Sequence, residues 1–261
     1  MSIDIDTLVR RSARLQVEDL DLGAFSDRPL DPDTLRCLRY MHDVEGHTVC
    51  YLRAMLVTRA HRDPQVTAFL TCWSYEEHWH GEAIGQVLDA HGEASGRSRL
   101  ADMRRRLPKR DALRPMVFNI TSAFTRHLTA LHMAWGAVNE WTTQAGYARL
   151  AAKADNPVLG ELLRRIMRQE GRHIDFYAAQ AKSRLADSGA AQRLTRTALR
   201  RLWAPVGSGV MPTDEIRFLV GHLFADGTGL ATAQRIDRHI DRLPGLDGLH
   251  LVENSVAELA A

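Results

Sequence analysis

The 261 residues are 45% hydrophobic and carry 34 basic against 32 acidic side chains, a formal net charge of +2 with the histidines neutral. That length and apolar content suffice for one main core. The near balance of charge excludes the global field that draws a whole chain to nucleic acid or an anionic membrane, so any strongly charged partner site must be local.

The first residues, "MSIDIDTLVRRSARLQVEDLD", lack the apolar run of a signal peptide, and no segment approaches the roughly 18 apolar residues needed to cross a bilayer. No membrane span is expected, and a cytoplasmic location is. Cys37, Cys50 and Cys72 are odd in number and form no C-x-x-C pair, which fits buried thiols in a reducing compartment better than disulfides or a zinc cage.

Residues 1–30 read as an irregular or partly helical arm. Asp31-Pro32-Asp33 is a helix start, with an acidic cap and proline in the first position, and Leu35, Leu38, Met41, Val44, Val49, Leu52 and Leu56 follow at helical spacing, predicting a helix over about 32–61. After His61-Arg62-Asp63-Pro64, a second helix carries Val66, Phe69, Leu70, Trp73, Trp79, Ile84 and Val87 to His91-Gly92. Residues 93–115 are polar, basic and punctuated by Gly, Ser and Pro, and read as a crossover without a core pattern. A third helix is expected over about 116–153 and a fourth from Pro157 to about 185. "AQRLTRTALRRLW", "PTDEIRFLVGHLF" and "GLATAQRIDRHIDRL" read as three shorter helices. No strand alternation is evident, so the expected class is all-α, with four long antiparallel helices and one long connection. The expected organisation is an arm (1–30), a four-helix bundle (31–186, crossover 93–115) and a C-terminal helical extension packed on it (187–261).

Within the four long segments the polar residues repeat: Glu45 alone, then Glu77-x-x-His80, then Glu140 alone, then Glu170-x-x-His173. Residues three apart share a helical face, so each pair can send a carboxylate and an imidazole to one point. Four carboxylates and two imidazoles are the donor set that holds two iron or manganese ions in ferritin-like bundles. The intervals, 32 residues from Glu45 to Glu77 and 30 from Glu140 to Glu170, each suit a helical hairpin that returns the second ligand to the height of the first. Four glutamates in one core are untenable without cations. The competing interpretation, surface residues on solvated faces, leaves unexplained why Trp73, Trp79, Trp135, Trp141 and Phe176 crowd the same stretches. Glu76 points roughly 100° away from Glu77 and reads as a solvated carboxylate or a partner of the ligands. His42 and His78 read as supporting or surface groups. Gly136 and Ala137 either allow close helix packing or leave room for dioxygen or substrate.

"YEEHWHGEAIGQVLDAHG" resembles the second-helix segment of soluble acyl-acyl carrier protein desaturases. "NEWTTQAGYARLAAKADNPVLGELLRRIMRQEGRHIDFY" is similar to the same family's third-to-fourth-helix segment, and "GLATAQRIDRHIDRLPGLDGL" to its C-terminal tail. The resemblance covers most of residues 35–250. It implies a ferritin-like bundle whose iron ligands are Glu45, Glu77, His80, Glu140, Glu170 and His173, with Thr143 placed where the family keeps a hydroxyl near dioxygen. It further implies a di-iron oxidoreductase that uses O2 to remove hydrogen from an unactivated C–H bond of an acyl chain, a ferredoxin-type electron donor, and a homodimer. Gln169 departs from the family pattern, which has Asp before the second E-x-x-H, and the chain is shorter than the plant enzymes. Another di-iron oxygenase, a hydroxylase or N-oxygenase, is therefore the first alternative. A ferritin- or rubrerythrin-like iron or peroxide-handling protein is the second, although no C-x-x-C module is present and the helices beyond residue 187 have no place in a minimal storage subunit. A scaffold that has lost its metals is the third.

The one dense positive segment runs from Arg97 to Arg114. It reads either as a solvated crossover or as a dock, through Arg104, Arg105, Arg106, Lys109 and Arg110, for an acyl carrier protein or the phosphates of an acyl thioester. Without interleaved aromatics or a nucleic-acid motif, nucleic acid is not expected.

Overall fold

The computed structural model describes residues 4–107 and 109–260, the side chains of Lys109 and Arg110 excepted; Met1–Ile3 of the expected arm lie outside the described residues. Asp4 accepts the backbone N–H groups of Asp6 and Thr7 and starts a short helix, α1 (Ile5–Arg11). An extended stretch and a 3-10 turn over Leu22–Ser26 complete the arm. Asp31 then caps α2 (Pro32–Leu56), accepting from Asp33 and Thr34 at 2.9 Å each. A 3-10 turn over Arg59–Arg62 separates it from α3 (Pro64–Ala90), which Asp63 caps in the same way. An oxygen-bearing cap before a proline satisfies orphan donors and presets the first φ, which is why both starts were legible.

The expected crossover does link the two hairpins, and most of it is helical. It forms α4 (Gly96–Arg105) and then the first turns of α5 (Lys109–Phe124), which continues through Pro115. No residue of α4 is buried, so it has no apolar period to detect. It is held by tertiary polar contacts instead: Arg99 forks onto Asp43 at 2.8 and 2.7 Å, Arg104 donates to the Gly46 carbonyl, and Leu100 rests where a side chain at Gly46 would stand. The single third helix expected over 116–153 is divided. Helix α5 ends at Phe124 and α6 (Leu128–Ala154) begins after a break in which the Thr125 hydroxyl takes the His127 N–H, a local bond that competes with the helical ladder.

Asp155, in left-handed backbone at φ 43°, turns the chain, and Asn156 caps α7 (Pro157–Ala186). The C-terminal segment contains four helices, α8 (Gly189–Leu202), α9 (Thr213–Phe224), α10 (Gly227–Ile240) and α11 (Leu251–Leu259), one more than expected. Helix α11 has no local signal: it starts at His250 with φ 49°, and its first N–H groups are capped by Asp237 of α10, which accepts from Val252 and Glu253.

The described residues form helices joined by turns and irregular stretches, with one isolated bridge and no strand. Helices α2 and α3 form one hairpin, α6 and α7 another, and the two meet through α3 against α7 and α2 against α6. Much of their shared interior is apolar, with Leu38, Phe69, Leu70, Ile84, Leu88, Met133, Leu150 and Leu159 fully enclosed. Helices α8 to α10 pack on α6, and the Arg36–Glu215 fork ties α9 to α2. Cys37 is buried in this core, whereas Cys50 and Cys72 are half-buried. Among the described residues no helix is long and apolar enough to cross a membrane.

His132 on α6 packs edge-on against Phe118 of α5, and both of its imidazole nitrogens are buried without a partner. Burial pushes its pKa down to about 4 from 6.5. The folded chain therefore binds fewer protons than the unfolded one at acid pH; stability is full above pH 6.5 and is lost as pH falls towards 4. A shift of that size corresponds to about 3 kcal/mol. Urea midpoints should thus show His132→Leu gaining on the parent by about 2–3 kcal/mol between pH 7 and pH 4.5; an offset that does not change with pH would count against it.

Candidate metal centre

Six side chains converge where the two hairpins meet. Glu45 comes from α2, Glu77 and His80 from α3, Glu140 from α6, and Glu170 and His173 from α7, and all six are buried. They form two overlapping groups, Glu45/Glu77/His80/Glu170 and Glu77/Glu140/Glu170/His173, and within each group one donor atom per residue lies within 4.8 Å of the others. Glu77 and Glu170 belong to both. Each spans the two imidazoles: Glu170 Oε1 is 3.3 Å from His80 Nδ1 and its Oε2 is 3.0 Å from His173 Nδ1, and Glu77 reaches the same nitrogens at 3.8 and 3.2 Å.

Four carboxylates in so small a dry volume cannot all ionise. Burial, reinforced by Glu77, pushes the Glu45 pKa well up, and burial together with Glu170 and Glu77 does the same for Glu140. Glu77 and Glu170 are pulled down against the burial effect by hydrogen bonds, from Glu45, His173 and His80 to Glu77 and from the two histidines to Glu170. Burial opposes charging of the histidines as well, but the carboxylates override it: His80 rises to about 9, chiefly through Glu170, and His173 rises well above its usual range. Carboxylates and imidazoles thus share hydrogen bonds and protons in positions that cations can take. Glu77 Oε1, Glu170 Oε1 and His80 Nδ1 are buried without a well-formed hydrogen bond, the condition of donor atoms that are shaped for a metal rather than for one another. The donor set fits two divalent ions.

Both histidines turn Nδ1 inward, and each outer nitrogen has its own partner. His173 Nε2 donates to Glu76 at 2.8 Å, and His80 Nε2 donates to the Gln169 side-chain oxygen at 2.8 Å. The arm secures both. The Ala13 N–H donates to Glu76 at 3.2 Å and the Ala13 carbonyl accepts from the Gln169 amide at 3.0 Å, so one residue of the arm braces the supports of two imidazoles. The Gln169 amide is thereby oriented with its oxygen towards His80. Arg172 closes the network on Glu76 at 2.7 Å. Of the two readings of Glu76 the structure takes the second: it points away from the cluster centre but is buried as a partner of His173, where α7 and the arm supply contacts that one helix could not reveal. Its pKa is lowered against burial by the His173 bond, which keeps it ionised. His42 is likewise buried, beside Asp43 at 3.0 Å, and accepts the Gly96 N–H that starts α4. His78 is exposed.

Two further groups touch the cluster. The Trp73 indole donates to Glu140 at 2.9 Å, and the Tyr147 hydroxyl donates to Glu45. Tyr147, seven residues past Glu140 and so on the same face, was legible by spacing but not singled out. Thr143 is half-buried and makes no side-chain hydrogen bond among the described residues, and the hydroxyl that touches Glu45 is Tyr147's. Phe69 stacks on Phe176 at 4.0 Å and meets Tyr177 edge-on, sealing the His173 side. A side chain at Gly136 would strike the Tyr177 ring, so that glycine serves close packing.

Of the basic segment, Arg99 and Arg104 are engaged internally, Arg105 pairs with Asp102, and Arg106 lines a cavity of about 850 Å³ together with Arg39, Tyr40 and Met211. The side chains of Lys109 and Arg110 lie outside the described residues.

No protein-family model and no curated protein matches this chain. What it does must be argued from the cluster itself.

Proposed function

We propose that the chain is a ferritin-like four-helix bundle with additional C-terminal helices, that its buried cluster holds two iron ions, and that it is a non-haem di-iron oxidoreductase acting with O2 on an acyl chain or similar apolar substrate. The observation that carries this is the pair of overlapping donor groups sharing Glu77 and Glu170. Glu45 and His80 would complete one ion's shell, Glu140 and His173 the other's. Bound iron would supply the redox equivalents for O2 activation that oxidation of an unactivated C–H bond requires.

The chain's own residues would do the rest. Trp73 and Tyr147 hold protons against Glu140 and Glu45 and fix the carboxylate rotamers. Glu76 and Gln169 keep each Nε2 protonated and so leave each Nδ1 lone pair available. Phe69, Phe176 and Tyr177 exclude water from the His173 side, which protects an oxidising centre from its own solvent. The acyl substrate, the acyl carrier or thioester, the ferredoxin-type donor, the homodimer and the cytoplasmic location come from the desaturase resemblance and the sequence, and hydroxylation or N-oxygenation would use the same residues.

Anaerobic ferrous titration should saturate at two ions per chain, with manganese competing for the same places, and O2 exposure of the loaded protein with a reductant and acyl thioesters should yield an oxidised chain that mass spectrometry identifies. Uptake of many irons per chain would replace this reading with storage. No uptake would remove it.

A further inference from the structure

The outer face of α5 is apolar and uncovered. Leu113, Met116, Val117, Ile120 and Phe124 are all more than half exposed, Phe124 by 87%. At helical spacing they fall within an arc of about 100°, the stripe by which a surface helix ordinarily meets its core. Here that stripe points outward, while Ser122 and Asp111 of the same helix are buried. Contiguous exposed apolar surface of this kind marks an interaction site.

Cations gather at the C-terminal end of the stripe, while Arg53 secures its buried side. Arg53 reaches Asp111 in the first turn of α5 at 3.6 Å, and at the other end the Arg59 N–H donates to Ser122 at 2.8 Å while its guanidinium donates to the Ala123 carbonyl. This seats the 3-10 turn Arg59–Arg62, preceded by the exposed Leu56 and Val57, against the last turn of α5. Arg62 and Arg126 are exposed and form no ion pair among the described residues. The acids in segments 50–70 and 109–130 are Asp63 and Asp111. Both are already engaged, Asp63 by Arg184 and the α3 cap, Asp111 by Arg53 and Arg114.

We propose that α5 and the adjoining end of the α2–α3 hairpin dock the protein on an anionic lipid bilayer, with Met116, Ile120 and Phe124 inserted at the acyl boundary and Arg59, Arg62 and Arg126 on the headgroup phosphates. An apolar stripe beside a group of cations is the pattern of a helix that lies in a membrane interface rather than across it. A second copy of the chain fits less well, because two-fold pairing of this face puts two sets of these cations into one interface. The proposal is independent of the metal cluster.

The test is flotation of the whole chain with vesicles of phosphatidylcholine containing phosphatidylglycerol, beside vesicles of phosphatidylcholine alone. The protein should float with the anionic vesicles, release at high salt, and lose partitioning by roughly tenfold or more in Ile120→Ser/Phe124→Ser, whose positions are exposed and whose helical content should be unchanged. Arg59→Glu/Arg62→Glu/Arg126→Glu should abolish the preference for anionic lipid. The proposal is overturned if the protein does not float at low salt, if the serine variant floats as the parent does, or if light scattering finds a dimer that the serine variant dissociates, which would assign the face to a second copy.

Discussion

Glu170→Ala should bind neither iron ion, whereas Glu140→Ala should keep one. Glu170 places one oxygen against each imidazole and belongs to both donor groups, so its loss breaks the two together. Glu140 belongs to one group and its removal leaves Glu45, Glu77, His80 and Glu170 in place. Burial already disfavours charge on Glu140, so its loss strips no buried ion of a partner, whereas Glu170 is the partner of both imidazoles and its loss should cost stability, so circular dichroism of each variant accompanies the metal count. Elemental analysis after anaerobic loading and desalting should give about zero and about one iron per chain respectively, against two for the parent. Equal retention by the two variants would show that Glu170 does not bridge.

That contrast rests on residues the sequence exposes by arithmetic alone. The doubled E-x-x-H with a glutamate thirty-odd residues before each copy is a local, periodic signal, and the Asp-Pro, Asp-Pro and Asn-Pro starts of α2, α3 and α7 set the hairpins that bring the copies together. What escaped is non-local. Helix α4 has no buried residue and depends on Asp43 and Gly46; α11 is capped from α10 by Asp237; and the choice between the two readings of Glu76 is made by His173 on another helix and Ala13 on the arm. A helix wheel reports which residues share a face, but not what will pack against the other faces. The Thr125 break is a different kind of miss, since a single hydroxyl bond to His127 ends a ladder whose apolar period continues on both sides.

The supports behind the histidines yield a second large effect, divided between the two ions. Glu76→Leu removes the acceptor that orients His173, and Gln169→Leu removes the one that orients His80. Loss of such a partner typically weakens metal binding by about 10- to 100-fold. Each variant should therefore weaken one ion and spare the other, visible as two separated phases when a chelator strips the loaded protein. Arg172 is partly exposed and can turn to solvent once Glu76 is gone, so the Glu76 variant should not suffer an unpaired buried cation. Deleting the chain through Ala13 is the joint case: Glu76 and Gln169 remain, but both lose the peptide that fixes them, and water reaches the outer side of the cluster. Both phases should then quicken together. If the deletion left them unchanged while the leucine variants did not, the arm would only cover the helices and the two supports would hold themselves. If the leucine variants quickened both phases equally, Glu76 and Gln169 would be acting on the shared carboxylates Glu77 and Glu170 rather than each on its own histidine.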